Sequence, residues 1–192
     1  MVIKECVNEA RRKETREEFK AFMNDTKSAE ILIIILKAHL YIERQLTFAL
    51  TESIVDDSVL KNTTFRQKLD LAYSMGIIGD DYGTLKKFNS IRNAYAHDMD
   101  YEFTEKTFDD LIATLSKDDK DFFWCEYEEN KDLFYDASIP ELNFKLQVLL
   151  SDVWFSVNTR RHLAQKAIEI KMLEKKIETM KKYSGIDDEI KI

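Results

Sequence analysis

Phe88-Asn89-Ser90-Ile91-Arg92-Asn93-Ala94-Tyr95-Ala96-His97-Asp98 is the stretch from which the rest of the chain can be read. Leu85, Phe88, Arg92 and Tyr95 recur at spacings of three and four, so in a helix of about 3.6 residues per turn they share one face. Arg92 therefore points toward the apolar side. A guanidinium there keeps its charge and needs an anionic or hydrogen-bonding partner, from the protein, a second subunit or a ligand. His97 lies about 140° round an unbroken helix from Arg92, because each residue advances about 100°. The two converge only if the helix frays or two copies meet. The polar Asp98-Met99-Asp100 segment predicts that the helix ends there.

Working outward, Thr64-Phe65-Arg66-Gln67 matches a capping box and opens a helix running to Met75, with Gly76 in the left-handed position that closes it. Asp80 or Asp81 then begins the helix that carries Arg92. After the turn at Asp98 to Phe103, Thr104 caps a further helix through about Ser116, with Phe108, Leu111, Ile112 and Leu115 inward. Upstream, Asp25 or Thr26 caps an apolar helix from Lys27 to Thr51, on which Leu32, Leu36, His39, Glu43, Leu46 and Leu50 share a stripe. His39 and Glu43 are polar groups on that apolar face. They are either a hydrogen-bonded interior pair, or Glu43 pairs with Arg92 and shapes a site. Residues 25–116 thus read as a bundle core of four helices. Residues 1–24 read as a charged helix with sparse contacts from Val7, Ala10, Phe19 and Phe22.

The character changes at Lys117. From Asp98 to Asp136 there are 14 acidic and 4 basic residues, with Phe122, Phe123, Trp124, Tyr127, Phe134 and Tyr135 interleaved. Residues 117–137 are therefore read as an acidic aromatic insertion or lid, its rings packing on the bundle. Rings beside acids do not make a base-stacking surface. Ser138-Ile139-Pro140-Glu141 reads as another capping box, opening a long helix in residues 138–192. Its first half (Leu142, Leu146, Leu149, Leu150, Val153, Trp154, Val157) is expected to pack on the core. Its second half repeats Leu163, Lys166, Ile170, Leu173, Ile177 and Met180 at alternating three and four, a coiled-coil-like seam with one basic interruption. Thr159 to Lys182 carries 8 basic and 3 acidic residues, either a solvated face on a dimerisation helix or a phosphate-tracking surface.

Composition narrows the class. Four glycines and one proline in 192 residues argue against a sheet-rich fold. The net charge of −7 disfavours coating of nucleic acid by the overall field. Cys6 and Cys125 make neither a disulfide framework nor a metal cluster, which with a charged N-terminus predicts a cytoplasmic protein. The longest apolar run, Ile31 to Leu36, is far short of the roughly 20 residues that span a bilayer, so no membrane partner is expected. There is no phosphate-binding glycine loop, serine-nucleophile elbow or clustered Cys/His pattern. No metal and no cofactor is expected.

The Arg92-Asn93-x-x-Ala96-His97 run resembles the R-x4-H motif of the HEPN superfamily, all-α domains that include many metal-independent endoribonucleases of toxin, defence and RNA-processing systems. The wider pattern, Phe65 to Ile78, Leu85 to Asp98, then Phe103 and the helix from Thr104, is similar to bacterial mannitol-operon-repressor-like and related HEPN-type proteins, over roughly residues 30 to 116. The resemblance implies an all-α helical bundle of HEPN type with a long C-terminal helix, in which Arg92 and His97 line a catalytic site, often shared across a homodimer. RNA is the implied substrate and an antitoxin-like protein a possible partner. Asn93, Glu43, His39 and Tyr95 are then supporting residues, with Arg160, Arg161, Lys86 and Lys87 as candidate nucleic-acid contacts. An imidazole with an ordinary pKa near 6.5 suits acid or base work at neutral pH. The rival reading is a non-catalytic regulatory or protein-interaction module.

Overall fold

The computed structural model describes the backbone of residues 2–54 and 56–184; the side chains of residues 1–11 and of some positions beyond 129 are outside the described ones. The described residues form seven α-helices, α1 (Val2–Thr26), α2 (Ile31–Thr51), α3 (Phe65–Ser74), α4 (Asp81–His97), α5 (Glu105–Ile112), α6 (Lys117–Phe134) and α7 (Glu141–Ser184), with a 3-10 turn at Asp57–Leu60. There is no strand among them. The fold is all-α, and no described helix is long and apolar enough to cross a membrane.

Helix α2 is the central rod, packed on by α1, α3, α4 and α7. Its inner face is Ile34, Ile35, Ala38, Ile42, Leu46, Ala49 and Leu50. The expected stripe is therefore corrected at its N-terminal end, where Leu32 and Leu36 face outward with Ile33 and Leu40. The cause is local: residues 31–36 are apolar all round, so periodicity there cannot choose a face. The start of α2 also moves. Helix α1 runs on through Thr26, whose hydroxyl donates to Phe22 O (2.7 Å) inside the core instead of capping α2. Glu30 takes the cap position with no side-chain bond.

The other helix signals divide. Thr64 and Gln67 form the capping box of α3, and Gly76 closes it at φ 71°, a conformation that a Cβ makes unfavourable. Thr104 caps α5, which ends at Ile112 rather than near Ser116. Ser116 instead caps α6 through Asp119 N (3.1 Å), so the acidic aromatic segment is itself a helix. Its Phe123 and Tyr127 pack against Phe108 and Phe144. Ser138 does not cap α7. Its hydroxyl donates to Asp136 (2.7 Å), and Pro140 O accepts from Asn143 N and Phe144 N. Helix α1 is better anchored than its charge suggests: Phe22 is fully buried, stacked on Trp154 with ring centroids 5.7 Å apart.

Candidate functional site

Helix α4 is fixed along its length, and that fixing decides what its last turns can present. At its start Asp81 accepts from Ser156 Oγ (2.7 Å) and Arg160 Nε (2.6 Å) of α7. Arg161, the next residue, forks onto Glu52 (2.6 and 3.2 Å), donates to Gln45 and stacks over Phe48 at 4.7 Å, all on the C-terminal half of α2. The start of α4 thus lies by the end of α2. Farther along, α4 meets α2 at His39, and α2 carries an exposed apolar patch of Leu32, Ile33, Leu36 and Leu40.

Midway, α4 meets α2 through a buried polar cluster. Asn89 Oδ1 accepts from the Nε2–H of His39 (3.2 Å), and the ring of Phe65 lies 4.4 Å from the imidazole. The bare Nδ1 of His39 is 3.8 Å from Glu43 Oε2, and Glu43 Oε1 accepts from Lys68 Nζ of α3 at 2.8 Å. Burial pushes the His39 imidazole below its usual value, and the charges of Arg92 and Lys68 push the same way against Asn89 and Glu43. His39 is therefore held neutral as a strut between helices. Of the two readings of Glu43, the pairing with Arg92 is corrected: Lys68 takes that carboxylate, and His39 lies beside it in the interior. Residue 68 reaches residue 43 only through the packing of α3 on α2, which no local spacing rule reveals. Lys68→Met is expected to lower stability by about 1–3 kcal/mol by leaving Glu43 half-buried and unpaired, seen as a lower urea midpoint with an unchanged slope.

Arg92 stands beside this cluster and pairs with no carboxylate among the described residues. Its Nη1 donates to Asn93 Oδ1 (3.2 Å), and its Nε is buried with no hydrogen-bond partner. Asn93 is thus turned to Arg92 and not to His97. Tyr95 holds the following turn, its hydroxyl accepting from Phe103 N (3.1 Å) and its ring meeting Tyr101 edge-on. His97 is the last residue of α4 and is exposed. The helix is unbroken up to it, so Arg92 and His97 leave the rod in different directions within one chain.

The candidate phosphate contacts are mostly engaged: Arg160 by Asp81, Arg161 by Glu52, and Lys87 by Asp110 at 3.4 Å, while Lys86 is exposed. Two further groups escaped sequence reasoning. Asp152 and Asn158 lie on α7 in a cleft of about 1220 Å³ between α1 and α6. Burial, with Glu126 adding, pushes the Asp152 carboxyl up to about 7. Both polar atoms of the buried Asn158 amide lack partners. No helical spacing marks them, because each is a single polar residue within the apolar first half of α7, beside Val153, Trp154 and Val157.

No family model matches the chain, and no curated protein or solved structure matches it either.

Proposed function

We propose that this chain is a metal-independent endoribonuclease of HEPN type, of the toxin or defence kind, which cuts RNA by attack of a ribose 2′-hydroxyl on the adjacent phosphate. The observation that carries the reading is Arg92. It is a half-buried guanidinium that pairs with no carboxylate among the described residues and commits only Nη1, to Asn93, on the last turns of the helix that ends in His97. Guanidinium left in that state has donors spare for a phosphate oxygen, whose geometry it matches. In this mechanism Arg92 stabilises the charge of the phosphorane. His97 takes the 2′-hydroxyl proton or delivers one to the leaving 5′-oxygen.

The complete site needs two copies. Helix α4 does not fray before His97, so His97 of one copy works beside Arg92 of its partner. The exposed apolar patch of Leu32, Ile33, Leu36 and Leu40 on α2 supplies the contact. Arg92→Lys keeps the charge but loses the planar fork, and is expected to lower cleavage tenfold or more, the order of one good hydrogen bond to a charged group, with the melting temperature unchanged. Single-turnover cleavage of a labelled RNA measures it. Rates equal to wild type would remove Arg92 from the site.

One observation favours the alternative, a non-catalytic regulatory or protein-interaction module: within the chain, His97 makes no hydrogen bond or ion pair with any described residue. On that reading α2 and α4 present a protein-binding face, and an antitoxin-like partner covers it. The direct test of the ribonuclease reading is incubation of RNA with the full chain in EDTA. Cleavage that His97→Ala removes supports the enzyme, and a well-folded dimer inert toward RNA supports the module.

A further inference from the structure

Spacing puts a stripe of polar and aromatic residues on each of two neighbouring helices. On α3, Arg66, Asp70 and Tyr73 recur at four and three; on α4, Tyr82, Lys86, Asn93 and His97 recur at four, seven and four. Each set falls within about 60° of one helix face. The stripes meet where the two tyrosines stack, ring centroids 4.3 Å apart and planes at 28°. Tyr82 donates its hydroxyl hydrogen to Asp70 Oδ1 (2.8 Å) and accepts from Arg66 Nη2 (3.1 Å). Arg66 Nε closes the network on the same carboxylate at 2.9 Å. Tyr82 is thereby fixed, and it fixes the ring of Tyr73, which is nevertheless 53% exposed. A flat ring held open to water is a platform on which any base can stack through its π-face.

Charge and position indicate what the platform serves. Asp70 is engaged by Arg66 and Tyr82, and the charge of Lys86 bears on it as well, so this cluster sets two cations against one carboxylate. The rings of α6, by contrast, stand among acids. Lys86 is exposed and makes no ion pair with a described residue, whereas its neighbour Lys87 is held by Asp110. Along α4, Lys86 stands between the ring pair and Arg92, four residues from Tyr82 and six from Arg92. Tyr82 to Arg92 is thus ten residues, or about 15 Å of helix. Rings at one end, an ammonium between, and at the other end a guanidinium whose Nη1 reaches Asn93 on the stripe suit an extended strand with unstacked bases. They do not suit a duplex, whose bases are closed to stacking.

We propose that the substrate is single-stranded RNA, which passes from Arg92 along α4 over Lys86 and stacks a base, outside the dinucleotide being cut, on the exposed ring of Tyr73. The path of the strand rests on the ribonuclease reading of Arg92; the platform itself does not.

A dinucleotide and a longer single strand test it with the full chain in EDTA. Tyr73→Ala is expected to raise KM for the longer strand about five- to a hundredfold, the worth of one stacked base, with kcat unchanged and kcat/KM on the dinucleotide unchanged. Its melting temperature is expected to stay at the wild-type value, since the ring is more than half exposed. Tyr73→Phe and Tyr73→Trp keep a ring and are expected to behave as wild type, whereas Tyr73→Leu follows the alanine variant. Lys86→Ala is expected to weaken binding of the longer strand and to flatten its logarithmic salt dependence by about 0.7, the share of one phosphate on a single strand. An unchanged KM in Tyr73→Ala, or a duplex of the same sequence bound as tightly as the single strand, would overturn the platform and leave the ribonuclease reading standing. If no RNA is cut, the ribonuclease reading fails, and fluorescence anisotropy of a labelled single strand decides the platform separately. A loss of affinity of about fivefold or more in Tyr73→Ala upholds it. Equal affinities, or no binding by the wild type, overturn it.

Discussion

His97→Ala is expected to reduce RNA cleavage by about a hundred- to ten-thousand-fold, the usual worth of a positioned acid or base, with no change in folding. His97 is exposed at the end of α4 and supports no other described residue, so its removal leaves the bundle as it is. A surface substitution away from such features changes stability by less than about 0.5 kcal/mol. The comparison therefore isolates chemistry from structure. His39→Ala is the contrasting change: His39 is buried between Asn89, Glu43 and Phe65, and its loss is expected to lower the melting temperature as well as the rate. Wild type and His97→Ala cleaving at equal rates would remove His97 from any catalytic role.

The second large effect is on stability. Asp152 is mostly enclosed between α6 and α7, with Oδ2 buried and unpartnered, and burial raises its carboxyl to about 7. The folded chain thus holds this proton over a range where an unfolded chain, with an ordinary value of 3.8, has released it. Below about 4 both states are protonated and the group is neutral in its effect. As pH rises from there through about 7 the unfolded state is increasingly favoured, by up to about 4 kcal/mol, because each pH unit between the two values is worth roughly 1.4 kcal/mol. Asp152→Asn removes this dependence. In dilute solution, where each chain is on its own, it is expected to be more stable than wild type at pH 8 by up to about 4 kcal/mol and equal to it at pH 4. Urea titrations at the two pH values measure the difference. Equal stability at pH 8 would mean that the carboxylate is well solvated when charged.

The helices with local punctuation are legible in the sequence, and those without are not. Thr64 with Gln67, Gly76 and Thr104 act over three or four residues, and all of them mark the boundaries they predict. Ser138 has the right neighbours for a cap, yet Asp136 captures its hydroxyl. The acidic run after Lys117 hides a helix because its inward side rests on a few rings, Phe123 and Tyr127 above all. For the site, spacing alone places Arg92 toward the interior and His97 at a helix end. It does not supply the partners, since Lys68 on Glu43 and Asn89 on His39 are contacts between helices. The same limit applies to Arg160 and Arg161. By sequence they are a basic pair on an exposed helix, and in the fold they clamp α7 to Asp81 and Glu52.

The most direct measurement is the end chemistry of RNA cut by the wild-type chain in EDTA. Attack by the neighbouring 2′-hydroxyl leaves a 2′,3′-cyclic phosphate and a free 5′-hydroxyl, needs no metal-activated water, and cannot occur on DNA or at a 2′-deoxy position. A labelled RNA carrying a single 2′-deoxy substitution at the cut site is expected to resist cleavage there, while the all-ribose strand yields cyclic phosphate ends at a rate that EDTA does not lower. Products with 5′-phosphate ends, equal cutting at the 2′-deoxy position, or activity abolished by EDTA would contradict the account.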